Sequence, residues 1–110
     1  MPTIDFNQTL SEMITAARAV LDKKWPVVKD YAEAELEKLA RTLAQIETLK
    51  HSGQISEVEA GILFEMQKNT ARAVMLSLQG MSLLLVEGAI NAALAVVRDT
   101  INTALGFSLL

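Results

Sequence analysis

The chain has 110 residues, a formal net charge of -3 and no cysteine. The absence of cysteine excludes a disulfide framework, a thiol nucleophile and a thiolate metal site. The acidic balance argues against a nucleic-acid partner, because phosphate binding needs a basic surface. This length fits one domain, residues 1–110, with a modest core. The hydrophobic fraction of 51% and the mean hydropathy of +0.29 are high for a small domain. Either the core is unusually large, or apolar surface is buried against another chain or a bilayer.

The first half of the chain has the periodicity of a helical arm over residues 5–51. Apolar residues recur at helical spacing from Phe6 onward, with polar residues between them. Asp5 is placed to cap the start of this arm. Pro26 interrupts the pattern, because its ring disfavours a helical conformation at the preceding residue and suits the first turn of a new helix. The arm is therefore predicted to be helical with a kink near Pro26.

A short turn at residues 52–56 separates this arm from a second one. Gly53 suits the left-handed conformation that ends a helix. Ser56 and Glu59 form the S-x-x-E pattern of a capping box, in which each side chain binds the backbone N–H of the other residue. No proline follows, so residues 57–105 are predicted to form the second helical arm. Because the connection is short, the two arms are expected to be antiparallel.

Two all-α architectures fit these arms. In the first, the arms stay extended as a long antiparallel hairpin, kinked near Pro26 and Gly80, and copies assemble by coiled-coil packing into a helical-bundle oligomer, a dimer or tetramer. In the second, the hairpin folds in half at the same two residues into a monomeric four-helix up-down bundle. We favour the extended hairpin, because the sequence around Trp25 leaves too few loop residues for a reversal of direction.

The segment from residue 73 to residue 97 is unusually apolar, with Glu87 as its single charge. It is longer than the roughly 20 residues that span a bilayer. Its apolar arc is far wider than the stripe of about 100° that one neighbouring helix covers. We interpret the face of residues 73–105 as an interface between copies of the chain, with membrane contact as the alternative. The predicted interface residues are Leu78, Met81, Leu84, Leu85, Gly88, Ala92, Leu94 and Val96.

Polar residues form a narrow row along the second arm, which we call the polar seam. The main members of this seam are Glu87, Asn91 and Arg98. Counting outward from the turn places Glu87 near Arg18 and Lys24 on the opposite arm, and Arg98 near Glu12. We therefore predict cross-arm ion pairs that fix the register of the hairpin.

The sequence predicts no catalytic residue, no cofactor and no metal site. His51, the one histidine, lies one helical turn after Glu47. This pair lacks the further ligands of a metal site, and the E-x-x-H pattern of di-iron bundles does not occur. Glycine-rich phosphate loops are also absent. Met66 and other methionines fall at positions typical of a core, where this side chain fills gaps.

Three functional hypotheses follow from the sequence. The first is a non-enzymatic scaffold or adaptor protein that self-associates through residues 73–105. The second is a membrane-associated or membrane-active helical protein. The third is a protein that binds an apolar small molecule in its core, with Glu87 or Asn91 as the polar anchor. The first seven residues lack the basic and apolar regions of a signal peptide, so we expect the protein in the cytoplasm.

Overall fold

A computed structural model describes residues 3–110 as an all-α chain with no strand in that range. Residues 1 and 2, which belong to the segment on which the absence of a signal peptide was judged, lie outside the described residues. The helices are packed compactly. The helical content confirms the predicted all-α class. The helices are α1 (Phe6–Leu21), α2 (Trp25–His51), α3 (Glu57–Leu76) and α4 (Leu83–Leu105), with a 3₁₀ turn (Asp22–Lys24) between the first two.

The first arm reverses direction at this 3₁₀ turn. Over the 46 residues from 6 to 51, α1, the 3₁₀ turn and α2 follow one another with no loop residues between them. A straight helix of that length would measure about 69 Å, but the longest dimension of the chain is 42 Å. The backbone N–H of Ile4 donates to the carboxylate of Glu47 at 3.1 Å, so the start of α1 lies beside the end of α2. The preference for extended arms is therefore wrong, and the arms fold in half as in the four-helix alternative.

The reversal depends on the backbone conformation of Asp22. This residue has a φ of 47°, in the region that glycine favours and other residues rarely adopt. Its N–H donates to the carbonyl of Arg18, which closes the end of α1. Trp25 is buried directly after the turn, and Pro26 lies in the first turn of α2. The sequence argument placed the bend at Pro26 and required a longer loop, whereas three 3₁₀ residues are sufficient here.

The second arm breaks between Leu76 and Leu83. Gly80, with a φ of +83°, takes the left-handed conformation within this connection. Ser82 then caps α4, because its side chain accepts a hydrogen bond from the N–H of Leu85 at 3.2 Å. The predicted second arm, residues 57–105, is thus two helices, and they are separated at Gly80, the residue at which the sequence predicted a kink or a fold.

The four helices keep the pairing of the predicted hairpin. Within the described chain, α1 packs most closely on α4, and α2 packs most closely on α3. Folding in half then brings α1 against α2, while α2 and α4 approach each other across the middle and α1 stays apart from α3. The result is an up-down bundle in which α4 has three neighbours.

The apolar character of α4 follows from this position. Large side chains that are fully buried come from all four helices, including Met13, Leu39, Met75 and Ile90. Nine residues of α4 are buried, and they form one broad face of the helix that is turned to the core. In the extended hairpin predicted from the sequence, one arm of the same chain and a second copy would share this surface. In the folded bundle three helices of the same chain cover most of it.

Candidate interaction surface

Most of the eight predicted interface residues are at least partly buried within the chain. Leu94 is only 7% exposed and belongs to the core. At Gly88 a Cβ atom would lie 3.3 Å from Cγ1 of Val20, so this glycine permits the close approach of α1 and α4. Ala92 is half-buried. Leu94 is therefore not available to a second copy of the folded chain.

The remaining predicted interface residues do not form one continuous face. Leu84 is 84% exposed at the start of α4, and Val96 is 50% exposed. Twelve residues separate them, which corresponds to a difference of about 120° around the helix. Leu78, Met81 and Leu85 are partly buried and pack against the core near the α3–α4 connection. The two exposed members of this set, Leu84 and Val96, thus lie on different sides of α4.

The polar seam makes a different ion pair from the predicted one. The carboxylate of Glu87 pairs with the guanidinium of Arg72 on α3. Folding in half brings the end of α3 beside the start of α4, so this guanidinium is closer than the cations of the first arm. The pair of Glu87 with Arg18 or Lys24 was therefore a wrong prediction.

The other two members of the seam lie on the surface. Asn91 and Arg98 are both exposed. Within residues 3–110, Arg98 does not form the predicted ion pair with Glu12. Neither Glu87, which is paired with Arg72, nor Asn91 is placed to anchor an apolar ligand inside the core.

The turn between α2 and α3 is held by local hydrogen bonds. Gly53 has a φ of +76°. Both bonds of the capping box are present: the N–H of Glu59 donates to the Ser56 hydroxyl at 3.1 Å, and the N–H of Ser56 donates to the Glu59 carboxylate at 3.0 Å. The backbone bond from Ser56, followed by the bond from its side chain, lowers the pKa of Glu59 below its ordinary value of 4.5. This site stabilises the start of α3.

The candidate metal ligands are occupied by backbone groups. The carboxylate of Glu47 accepts from the N–H of Ile4, and Nε2 of His51 lies 2.9 Å from the carbonyl oxygen of Ala104. Since a carbonyl oxygen only accepts, Nε2 donates in this bond and ties the end of α2 to the end of α4. In the described part of the chain, no group of three or more histidine, aspartate or glutamate side chains could hold a metal ion.

Sequence reasoning missed an exposed apolar surface on the outward face of α3. Val58, Ile62 and Met66 are 73%, 55% and 61% exposed. The opposite side of the same helix is buried in the core, so α3 is apolar on two sides. We call the exposed side the α3 outer face. It consists of Val58, Ile62, Met66, Asn69, Ala73 and Leu76, all of them exposed.

Two open grooves flank the α3 outer face. The first, of about 370 Å³, lies between α2 and α3 and includes Leu63, Met66 and Gln67. Nε2 of Gln67 is buried there without a hydrogen-bond partner. The second, of about 410 Å³, runs along Val58 and Ile62 to Leu109 near the chain end. The apolar surface therefore continues beyond a single row of side chains.

A signal for this surface was present in the sequence. From Ile62 to Leu76 the outer-face residues follow steps of four, three, four and three, which is the spacing of a helix-pairing seam. The sequence argument assigned Met66 to the core, because helical periodicity does not distinguish a side chain that faces the core from one that faces a partner. That assignment was wrong, since Met66 is mostly exposed.

Comparison with known proteins does not assign this surface to a family. No protein-family model matches the chain, and no curated protein or solved structure matches it either. Within residues 3–110, no helix combines the length and apolar character needed to cross a bilayer.

Proposed function

We propose that this chain is a non-enzymatic, self-associating helical protein that serves as a scaffold or adaptor and uses the α3 outer face as its interface. The observation that carries the proposal is the exposure of Val58, Ile62 and Met66 along one side of a well-capped helix. Contiguous exposed apolar surface of this kind marks interaction sites in small proteins, because it is costly to leave in water. The cytoplasmic location remains a prediction from the sequence.

A second exposed surface lies at the start of α4, within the interface predicted over residues 73–105. Leu83 and Leu84 are both exposed there. This patch is shorter than the α3 outer face, because the next turns of α4 present Glu87 and Asn91 along the same side. We therefore place the main interface on α3 and use the α4 patch as the competing site.

Mass measurement on two matched variants tests this assignment. In detergent-free buffer, size-exclusion chromatography with light scattering is expected to give a discrete dimer or tetramer for the unmodified chain. Ile62→Lys introduces a charge on the α3 outer face and is expected to give a monomer. Leu84→Lys is the control, since it adds the same charge at an exposed leucine of α4, and its mass is expected to stay oligomeric.

Two outcomes would contradict the proposal. A monomeric unmodified chain at every concentration would exclude self-association. Dissociation by Leu84→Lys, with an unchanged mass for Ile62→Lys, would instead place the interface on the α4 face. Circular dichroism of both variants checks that the fold is intact, and it is expected to be, because both side chains point away from the core.

A further inference from the structure

We propose that two copies of the chain pair α3 against α3 in antiparallel orientation. The two-fold axis crosses the helix pair at the level of the peptide bond between Gln67 and Lys68. This inference rests on the proposed self-association and specifies its partner and geometry. Two-fold dimers bring the same patch of each copy together, so the patch must be complementary to itself. The central part of the α3 outer face, residues 62–73, meets that condition in its spacing, in its side-chain sizes and in its charges.

The spacing of the four central residues of the outer face reads the same in both directions. Ile62, Met66, Asn69 and Ala73 are separated by steps of four, three and four. When a second α3 runs in the opposite direction, Ile62 lies beside the partner's Ala73, and Met66 lies beside the partner's Asn69. Each of these contacts occurs twice in the dimer. An alternation of four and three keeps a seam on one side of a helix.

The side-chain sizes favour the antiparallel over the parallel arrangement. In the antiparallel pair the branched side chain of Ile62 meets the small Ala73 of the other copy, which lets the two backbones stay at a constant separation. In a parallel pair, Ile62 would meet a second Ile62, and Ala73 would meet a second Ala73. The helices would then be held apart at one level and leave a gap at the other.

The charges beside the seam support the same orientation. Glu65 and Arg72 flank the outer face on the same side of α3. In the antiparallel pair the carboxylate of one copy comes close to the guanidinium of the other, so the charges attract at two symmetric places. In the chain itself, Nζ of Lys68 lies 3.9 Å from the Glu65 carboxylate, whose side chain is 60% exposed.

Arg72 is oriented for this contact by its own chain. Its guanidinium pairs with the carboxylate of Glu87, and Nη1 donates to Oδ1 of Asn69 at 2.6 Å. A guanidinium has five N–H donors, so donors remain for the partner's carboxylate. The same bond fixes the amide of Asn69, the polar residue within the seam. A polar residue at such a position sets register at some cost in stability.

Paired cysteines distinguish the antiparallel arrangement directly, because the natural chain has no cysteine. The double variant Ile62→Cys/Ala73→Cys is expected to form a covalent dimer under mild oxidation, through two disulfides that each join residue 62 of one copy to residue 73 of the other. The two cysteines of one chain are eleven residues apart, about 16 Å along the helix. That distance is too long for a disulfide within a chain.

The single variants Ile62→Cys and Ala73→Cys serve as matched controls. In the antiparallel pair each cysteine is about 16 Å from its copy, so neither single variant is expected to cross-link. Efficient cross-linking of both single variants would indicate parallel pairing and overturn the inference. An oligomer in which neither the double nor the single variants cross-link would also overturn it while leaving the proposed self-association intact. A monomeric unmodified chain would show instead that the proposed function itself is wrong.

Discussion

At the scale of single residues, the capping box shows how one exposed carboxylate can contribute to the start of a helix. The N–H of Ser56 donates to the Glu59 carboxylate, and the Ser56 hydroxyl accepts from the backbone N–H of Glu59. The backbone bond is the larger cause of the lowered pKa of Glu59, and the side-chain bond adds to it. Both favour the ionised form of the carboxyl group, so protonation weakens the first turn of α3.

This gives a prediction for the pH dependence of stability. Because the folded pKa of Glu59 lies below its ordinary value of 4.5, its contribution is fully present above pH 4.5 and is lost as the pH falls through the folded pKa. An NMR titration of the Glu59 carboxyl carbon is expected to give a lower pKa in the folded protein than in urea. Glu59→Gln is expected to remove this part of the acid sensitivity. Equal pKa values in the two states would contradict the prediction.

At the scale of helices, α4 shows that a broad apolar surface has several possible explanations. Its wide apolar arc correctly indicated several neighbours, but periodicity does not tell whether those neighbours belong to the same chain. Leu94 was therefore predicted to face a second copy, although it packs in the core of its own chain. Leu84, on the same predicted face, is exposed.

Truncation of these two leucines is expected to separate core from surface. Leu94→Ala removes buried methyl groups and leaves a cavity, so the free energy of unfolding is expected to fall by about 2–4 kcal/mol. Leu84→Ala is the matched control and is expected to change it by less than about 0.5 kcal/mol. Urea unfolding followed by circular dichroism measures both values. Similar losses for the two variants would show that α4 is not buried as the structure has it.

The helix ends divide into those that the sequence predicts and those that depend on packing. Three helix ends depend on local residue types that are visible in a sequence. The side chains of Asp5 and Ser56 cap the N-termini of α1 and α3, and Gly106 ends α4 with a φ of +82°. Asp22 is different, because it adopts a positive φ without being glycine. Such a conformation persists only where the surrounding packing stabilises it. The reversal of the first arm was missed for that reason.

At the scale of the whole molecule, the predicted and the observed architecture share most of their helix pairs. The pairs α1 with α4 and α2 with α3 are common to the extended hairpin and the folded bundle. The two differ in whether the bends at Asp22 and Gly80 are open or closed. Both bends lie at the same end of the bundle, so one folding motion closes both. Closing them covers the apolar surface of α4 with side chains of the same chain.

A distance measurement between two helices decides between the closed and the open arrangement. Spin labels on Asn7→Cys and Thr48→Cys sit at exposed positions of α1 and α2, and the chain offers no other cysteine. In the folded bundle the two labels are close, because the N–H of Ile4 is bonded to the Glu47 carboxylate. The axes of neighbouring helices are about 8–10 Å apart. In an extended arm the two labels would be about 60 Å apart. Pulsed electron paramagnetic resonance on labelled chains diluted with excess unlabelled protein reports the distance within one chain, even if the chains associate. A single short distance is expected, and a dominant long one would mean that the bends open and that two chains complete each other's bundle.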